Sequence, residues 1–294
     1  MLSVVALGGV ASRVADKFDL YPQYKVFVID HETDDEFRNI SYEETNTKST
    51  YKIKKMKTHE ETENQEIKLP NNITKNLTKN VLLITSGASM VSAVSLKVLK
   101  QIQALGKNTT VLYIQPEREL LGKTKRLHER VIRNVLQQYA RSGLLERIYL
   151  VSNEEVESIA GEVSVAEYYD VLNDIICSSM HMMNVFKNQK SVMSSFSDPL
   201  QAYRICTYGV LNPDTGETRP FFDIDNIRQI NSYYGIPSET LKSEMGLQKK
   251  ILQQVKAKAS EIIEAGYGIY ETSYDSSCGF IEIITSQIQE KRLD

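Results

Sequence analysis

Short apolar runs punctuate the first half of the chain: SVVAL (3–7), KVFVID (25–30), NVLLIT (80–85), TTVLYIQ (109–115) and RIYLVSN (147–153). Each is too short for a buried helix and too continuous for a strand with one wet face. Such runs fit strands covered on both sides. Most lead into a segment with helical spacing: ASRVADKF after the first, Met90–Ala104 after the third, and KTKRLHERVIRNVLQQYARSG after the fourth. Strand and helix in short alternation builds parallel β-α-β units. The first half is therefore expected to form a doubly wound, mostly parallel α/β sheet.

Three segments complete the plan. Residues 32–79 are rich in Glu, Lys, Thr and Asn, and read as a long surface excursion with an edge strand at TYKIKKMK. SVAEYYDVLNDIICSSMHMMNVF (164–186) reads as a long helix, with Ser164 and Glu167 as a capping box. Beyond it, AYRICTYGVLN (202–212) and GFIEIITSQ (279–287) read as strands, and LQKKILQQVKAKASEIIEAG (247–266) as an amphipathic helix stopped by Gly266. This places a larger domain at 1–186 and a smaller α+β domain at 187–294.

Composition narrows the function classes. The 294 residues are 41% hydrophobic and 25% charged, with a net charge of −3. This is an ordinary globular mixture, without the overall basic field of a nucleic-acid binder. The basic run KTKRLHER (123–130) reads as a solvated helix face. Three scattered cysteines form neither a disulfide framework nor a zinc pattern. With no basic signal-peptide start and no long apolar run, the expected setting is cytoplasmic, with no membrane partner. The four histidines lack metal-ligand spacing, and no G-x-S-x-G or Cys-His arrangement appears.

Ligands of doubly wound sheets sit beyond the carboxyl ends of the strands. After the first strand comes GGVASR, where Gly8 and Gly9 permit a sharp turn into a helix whose free amides suit an anion; Ala11 and Ser12 follow. The spacing is not GxGxxG, which disfavours a dinucleotide oxidoreductase. Asp30 and Glu32 end the second strand, where an acid can hold a ribose hydroxyl or simply be exposed. After the third strand, the small residues Ser86, Gly87, Ala88 and Ser89 could turn amides and hydroxyls toward phosphate, although this is no Walker loop. Pro116 to Glu119 follow the fourth strand. Tyr169 and Asn173 lie four apart on the long helix, so a stacking ring and a base-reading amide share one face. Taken singly, a Tyr and an Asn on a helix are more often core and surface residues.

Taken in order, these segments resemble the tubulin/FtsZ superfamily, including its short phage and plasmid members (PhuZ- and TubZ-like). GGVASRVADKF is similar to the first glycine loop and helix. SGASMVSAVSLKVLKQI looks like a shortened GGGTGSG signature, and VLYIQPERELLGKTKR looks like VVTxPFxxEGxxR. IYLVSNEEVESI is similar to IVIPNDRL, and YYDVLNDII to the central-helix pattern Y-x-x-L-N-x-L-I. The resemblance covers roughly 1–186. It implies GTP or GDP as ligand, Mg2+ as a companion ion, and guanine-contacting roles for Tyr169 and Asn173. It also implies head-to-tail self-assembly, with an adaptor protein bridging to DNA among the partners such filaments allow. Positioning or segregation of phage or plasmid DNA is the corresponding use.

The departures are specific. The signature loop keeps one glycine, Gly87. The glutamate before the fifth-loop glycine is Leu121, leaving Glu119 as the ribose-contact candidate. The loop written NxDxxD in the family reads NVFKNQKSVMSSFSDP, where Asp198 is the sole carboxylate. Asp198 is thus the one candidate to orient an attacking water in a neighbouring subunit. Two readings stand: a nucleotide-driven filament protein, or a tubulin-fold pseudoenzyme that serves as a structural or partner-binding protein without GTP hydrolysis.

Overall fold

The computed structural model describes residues 1–31 and 48–290. Glu32 lies outside the described residues. In chain order the first elements are β1 (Leu2–Leu7), α1 (Gly9–Phe18), β2 (Tyr24–His31), β3 (Ser49–Ile53), α2 (His59–Asn64), α3 (Asn71–Asn76) and β4 (Asn80–Thr85). A 3₁₀ turn at Met90–Val94 then leads into α4 (Ser95–Ala104), β5 (Asn108–Gln115), α5 (Lys123–Arg141), β6 (Arg147–Ser152), α6 (Asn153–Ala160) and α7 (Tyr168–Asn188). The remainder comprises β7 (Met193–Ser194), β8 (Ile205–Leu211), β9 (Thr218–Pro220), β10 (Gln229–Pro237), α8 (Ser238–Ser243), α9 (Leu247–Lys258), β11 (Glu264–Thr272) and β12 (Cys278–Thr285).

The described strands share one sheet in the order β3-β2-β1-β4-β5-β6-β8-β12-β10-β11-β7, with β9 on β8. From β3 to β8 every pairing is parallel; antiparallel pairs begin at β8–β12. This is the expected α/β class with a mostly parallel sheet. Because strand side chains alternate, adjacent residues serve opposite faces. Leu83 and Val111 join one core with Val98 of α4 and Leu136 of α5. Ile84 and Leu112 join the other with Val14 of α1, Val156 of α6 and Ile176 of α7. Among the described residues no helix is long and apolar enough to cross a membrane.

Four segments differ from expectation. The described part of the polar excursion is packed rather than superficial: Ile53, Ile67, Leu69, Ile73 and Leu77 are buried in the first core. A few well-spaced apolar residues were enough to seat it despite its polar composition. The stretch 247–266 divides: helix stops at Lys258, and Ser260 closes a turn by accepting from the Ile262 and Ile263 amides. Gly266 then lies inside β11, opposite Asn231 of β10. Its close neighbour is Phe196, so the glycine makes room for a ring instead of ending a helix. The central helix starts at Tyr168, not 164; Ser164 donates to the Glu167 carboxylate at 2.9 Å within a preceding turn. The continuous helix expected over 90–104 opens as 3₁₀ before becoming α-helical at Ser95.

Candidate functional site

At the carboxyl end of β1, Gly8 takes φ 83°, a conformation that favours glycine. Its amide donates to Ile29 of β2 at 2.9 Å, and its carbonyl accepts from both the amide and the hydroxyl of Ser12 at 2.9 Å. Gly8 caps α1 without a side chain, so the first amides of a ten-residue helix, from Gly9 to Ala11, remain open. A Cβ on Gly8 would come within 2.5 Å of Ser89 Oγ. The first turn and the loop after β4 therefore touch. Asp30, at the end of β2, is half-buried and accepts from the His31 amide at 2.8 Å.

The loop after β4 is a tight turn, with Ser89 N–H donating to Ser86 O at 3.3 Å. Ser86 and Gly87 are buried; Ala88 and Ser89 are partly exposed. Gly87 is pressed against the Tyr113 hydroxyl and the Glu129 backbone, where a side chain has no room. Its amide also acts on the Tyr113 oxygen. Burial, reinforced by the Glu129 carboxylate, holds the Tyr113 phenol well above its ordinary range, so it stays a donor to Glu129, with Oη–Oε1 3.0 Å. The lone glycine of this loop thus packs against α5 through its Cα. The Ala88 amide has no acceptor among the described residues. Ser89 Oγ accepts from Val91 N–H at 3.3 Å and caps the 3₁₀ turn.

Pro116 is half-buried and Glu119 exposed in the loop after β5, which Arg126 ties down through the carbonyls of Glu119 and Leu121. The start of α7 is drawn to α1: Lys17 binds Asp170 at 2.7 Å and Asp174 at 3.0 Å. That brings Tyr169, 55% exposed, beneath Arg13, whose guanidinium lies 5.7 Å from the ring centroid. Asn173 is 7% exposed. Arg13 and Lys17 were not singled out from sequence. Their only signal there is a cation at helical spacing on α1, which any amphipathic helix shows.

Gly8, Gly9, Ala11, Ser12, Asp30, Ser86, Gly87, Ala88, Ser89, Pro116, Glu119, Tyr169 and Asn173 all lie at the carboxyl ends of β1, β2, β4 and β5 or on the adjoining helices. Asp198 is elsewhere. It is exposed, past the far end of α7, where the Ser197 carbonyl accepts from Gln229 of β10. A 21-residue helix is about 31 Å long, so Asp198 and Tyr169 stand at opposite ends of the molecule. A cavity of about 960 Å³ also opens at that far end, between the amino ends of β1, β4 and β5 and the last turns of α7. Among the described residues no cluster of three or more His, Cys, Asp or Glu could hold a metal ion.

No protein-family model and no curated protein matches the sequence. Solved structures do match. A GTPγS-form TubZ protofilament from Bacillus thuringiensis serovar israelensis aligns with a TM-score of 0.70 at 12% identity, over 96% of this chain and 86% of that one. The chain has the tubulin/FtsZ fold. An FtsZ dimer from M. jannaschii matches at 0.67 and 11% identity, covering 100% and 93% of the two chains. CetZ2 from Haloferax volcanii, solved as a GTPγS-bound protofilament, matches at 0.63 and 11% identity, covering 96% and 92%. The ordered sequence motifs thus pointed to the right superfamily fold.

Proposed function

We propose that this tubulin/FtsZ-like chain binds a guanine nucleotide at the carboxyl ends of β1 and β4 and assembles head to tail into filaments. The observation that carries the reading is the junction of Gly8 with Ser89, with α7 tied to α1 beside it. The phosphates meet the open amides of α1 and the Ala88 amide, helped by the Ser89 hydroxyl, while the Ser12 hydroxyl holds the Gly8 carbonyl in place. Asp30 and Glu119 supply ribose contacts. Tyr169 stacks on the base, and Asn173 offers the paired donor and acceptor that read a guanine edge. The described residues fit Mg2+ only as an ion carried mainly by phosphate oxygens and water.

Head-to-tail assembly follows from placing the nucleotide at one end of α7 and Asp198 at the other. A carboxylate there meets the nucleotide of the next copy, not its own. Similar structures include TubZ and CetZ2 protofilaments, and a further one is of a type III plasmid segregation TubZ, which supports a DNA-positioning role through an adaptor. Hydrolysis is slow in this reading, because Asp198 is the sole carboxylate between Asn184 and Pro199. Negative-stain microscopy of the full chain with GTP, GDP or neither tests assembly. Filaments that require GTP support the reading; dispersed protein under all three conditions overturns it.

A further inference from the structure

Beneath the loop after β4 lies a buried network of polar side chains from β5, α5 and the segment that follows β12. The Gly87 amide donates to the Tyr113 oxygen, and the Tyr113 hydroxyl donates onward to Glu129 Oε1 at 3.0 Å. The same Oε1 accepts from Arg133 Nε at 2.8 Å and from Gln115 Nε2 at 3.3 Å. Glu129 Oε2 is buried with no hydrogen-bond partner among the described residues, so the carboxylate serves Tyr113, Gln115 and Arg133 through one oxygen. Arg133 in turn donates to the Gln289 carbonyl, and the Gln289 amide donates to Gln137 of α5 at 2.7 Å. Tyr113, Glu129, Arg133 and Gln289 are all buried. The Tyr113 hydroxyl is thus fixed from below by groups that are themselves fixed.

A buried ion pair is a poor device for stability alone, because apolar side chains of similar size often serve as well or better. What this one gains is its place, under the carboxyl ends of β4 and β5. Of the loop amides, that of Gly87 is held inward by Tyr113 and that of Ser89 is bound to the Ser86 carbonyl, which leaves the Ala88 amide open. A glycine-rich nest turns several amides on an anion. A loop that offers one has to hold that one in place. The fit beneath it is close: a Cβ on Gly87 would lie 2.1 Å from Tyr113 Oη and 2.9 Å from Glu129 Cα.

We propose that Tyr113 is a positioning residue of the phosphate site: its hydroxyl, anchored by Glu129 and Arg133, sets the loop after β4 in the conformation that presents the Ala88 amide. This deepens the proposed function and rests on its placement of the phosphates at this loop. Tyr113 acts through Gly87 and touches no nucleotide itself. Its effect belongs to the phosphate part of the ligand, because Tyr169 and Asn173 meet the base from α7, which packs on the opposite face of the sheet from α5.

Tyr113→Phe in the full chain tests it, since the ring stays and only the hydroxyl goes. Hydrogen exchange of the nucleotide-free protein reads the loop directly. The amides of Gly87, Ala88 and Ser89 should exchange about tenfold faster or more in the variant, with those of Leu150 and Val151 in β6 unchanged. Titrations with GTP and with guanosine then read the site. GTP affinity should fall about tenfold while guanosine affinity holds, because the two ligands differ only in the phosphates. A hydroxyl with a merely structural role would speed exchange in β6 as well, or weaken both ligands by the same factor, and either result overturns the proposal. So does unchanged exchange at the loop. A wild type that binds neither ligand overturns the proposed function and this role with it. A variant that binds GTP as tightly as the wild type leaves that function standing and overturns the role of Tyr113 alone.

Discussion

At the scale of the residue, buried charge sets the largest single contributions. Glu282 is almost fully buried on β12 and accepts from Arg147 at 2.9 Å, Lys187 at 2.7 Å, Tyr233 at 3.1 Å, Asn231 at 3.2 Å and the Tyr149 hydroxyl. Burial alone would raise its carboxyl. Lys187 and Arg147 outweigh that and hold it well below the carboxylate range. Glu282→Gln leaves two cations without their partner and should cost about 3 kcal/mol at neutral pH, read from urea midpoints. The folded value is depressed, so this contribution is full above the unfolded value near 4.5 and is lost as pH falls below it. The gap between wild type and variant should therefore narrow in acid. His59 behaves differently. Its ring lies 3.9 Å from that of His128, and burial, then His128, lower its pKa to about 4. The unfolded chain takes up a proton near 6.5 and the folded one does not, so stability falls between pH 6.5 and 4. His59→Gln should flatten that slope in pH-dependent urea unfolding.

At the scale of the element, α1 and α7 act as a pair. Lys17→Ala should cost only about 0.5 kcal/mol of stability, because Asp170 and Asp174 are more than half exposed. It should lower nucleotide affinity severalfold by freeing the start of α7 beside Tyr169. Calorimetry on the same preparation separates the two effects; unchanged affinity would count against the placement. Elements are also where sequence was most and least readable. NVLLIT gave β4 with its observed ends, because a buried parallel strand is a continuous apolar run. Residues 264–272 did not read as β11, since Gly266 resembles a helix-stop glycine until Phe196 is seen packing on it. The loop after β4 was readable as small and polar. That Gly87 serves Tyr113 and Glu129 was not, because both partners come from elements distant in the chain.

At the scale of the whole molecule, the mostly parallel sheet and two helical layers were legible from the alternation of apolar runs. The continuity of that sheet through β8 and β12 to β10 and β11 was not, since it depends on long-range pairing. The proposed function rests on polarity: a nucleotide at one end of α7 and Asp198 at the other. Asp198→Asn should leave GTP-dependent filaments intact and lower phosphate release by tenfold or more, of the order expected for losing a general base. In the proposed function nucleotide sits against Tyr169, an exposed side chain whose removal spares the core. Isothermal titration of GTP into the nucleotide-stripped chain tests it most directly. One GTP per chain is expected for the wild type, with affinity weakened about tenfold or more in Tyr169→Ala, as for loss of a stacked base. Absence of binding in the wild type, or equal affinity in the two proteins, would contradict it.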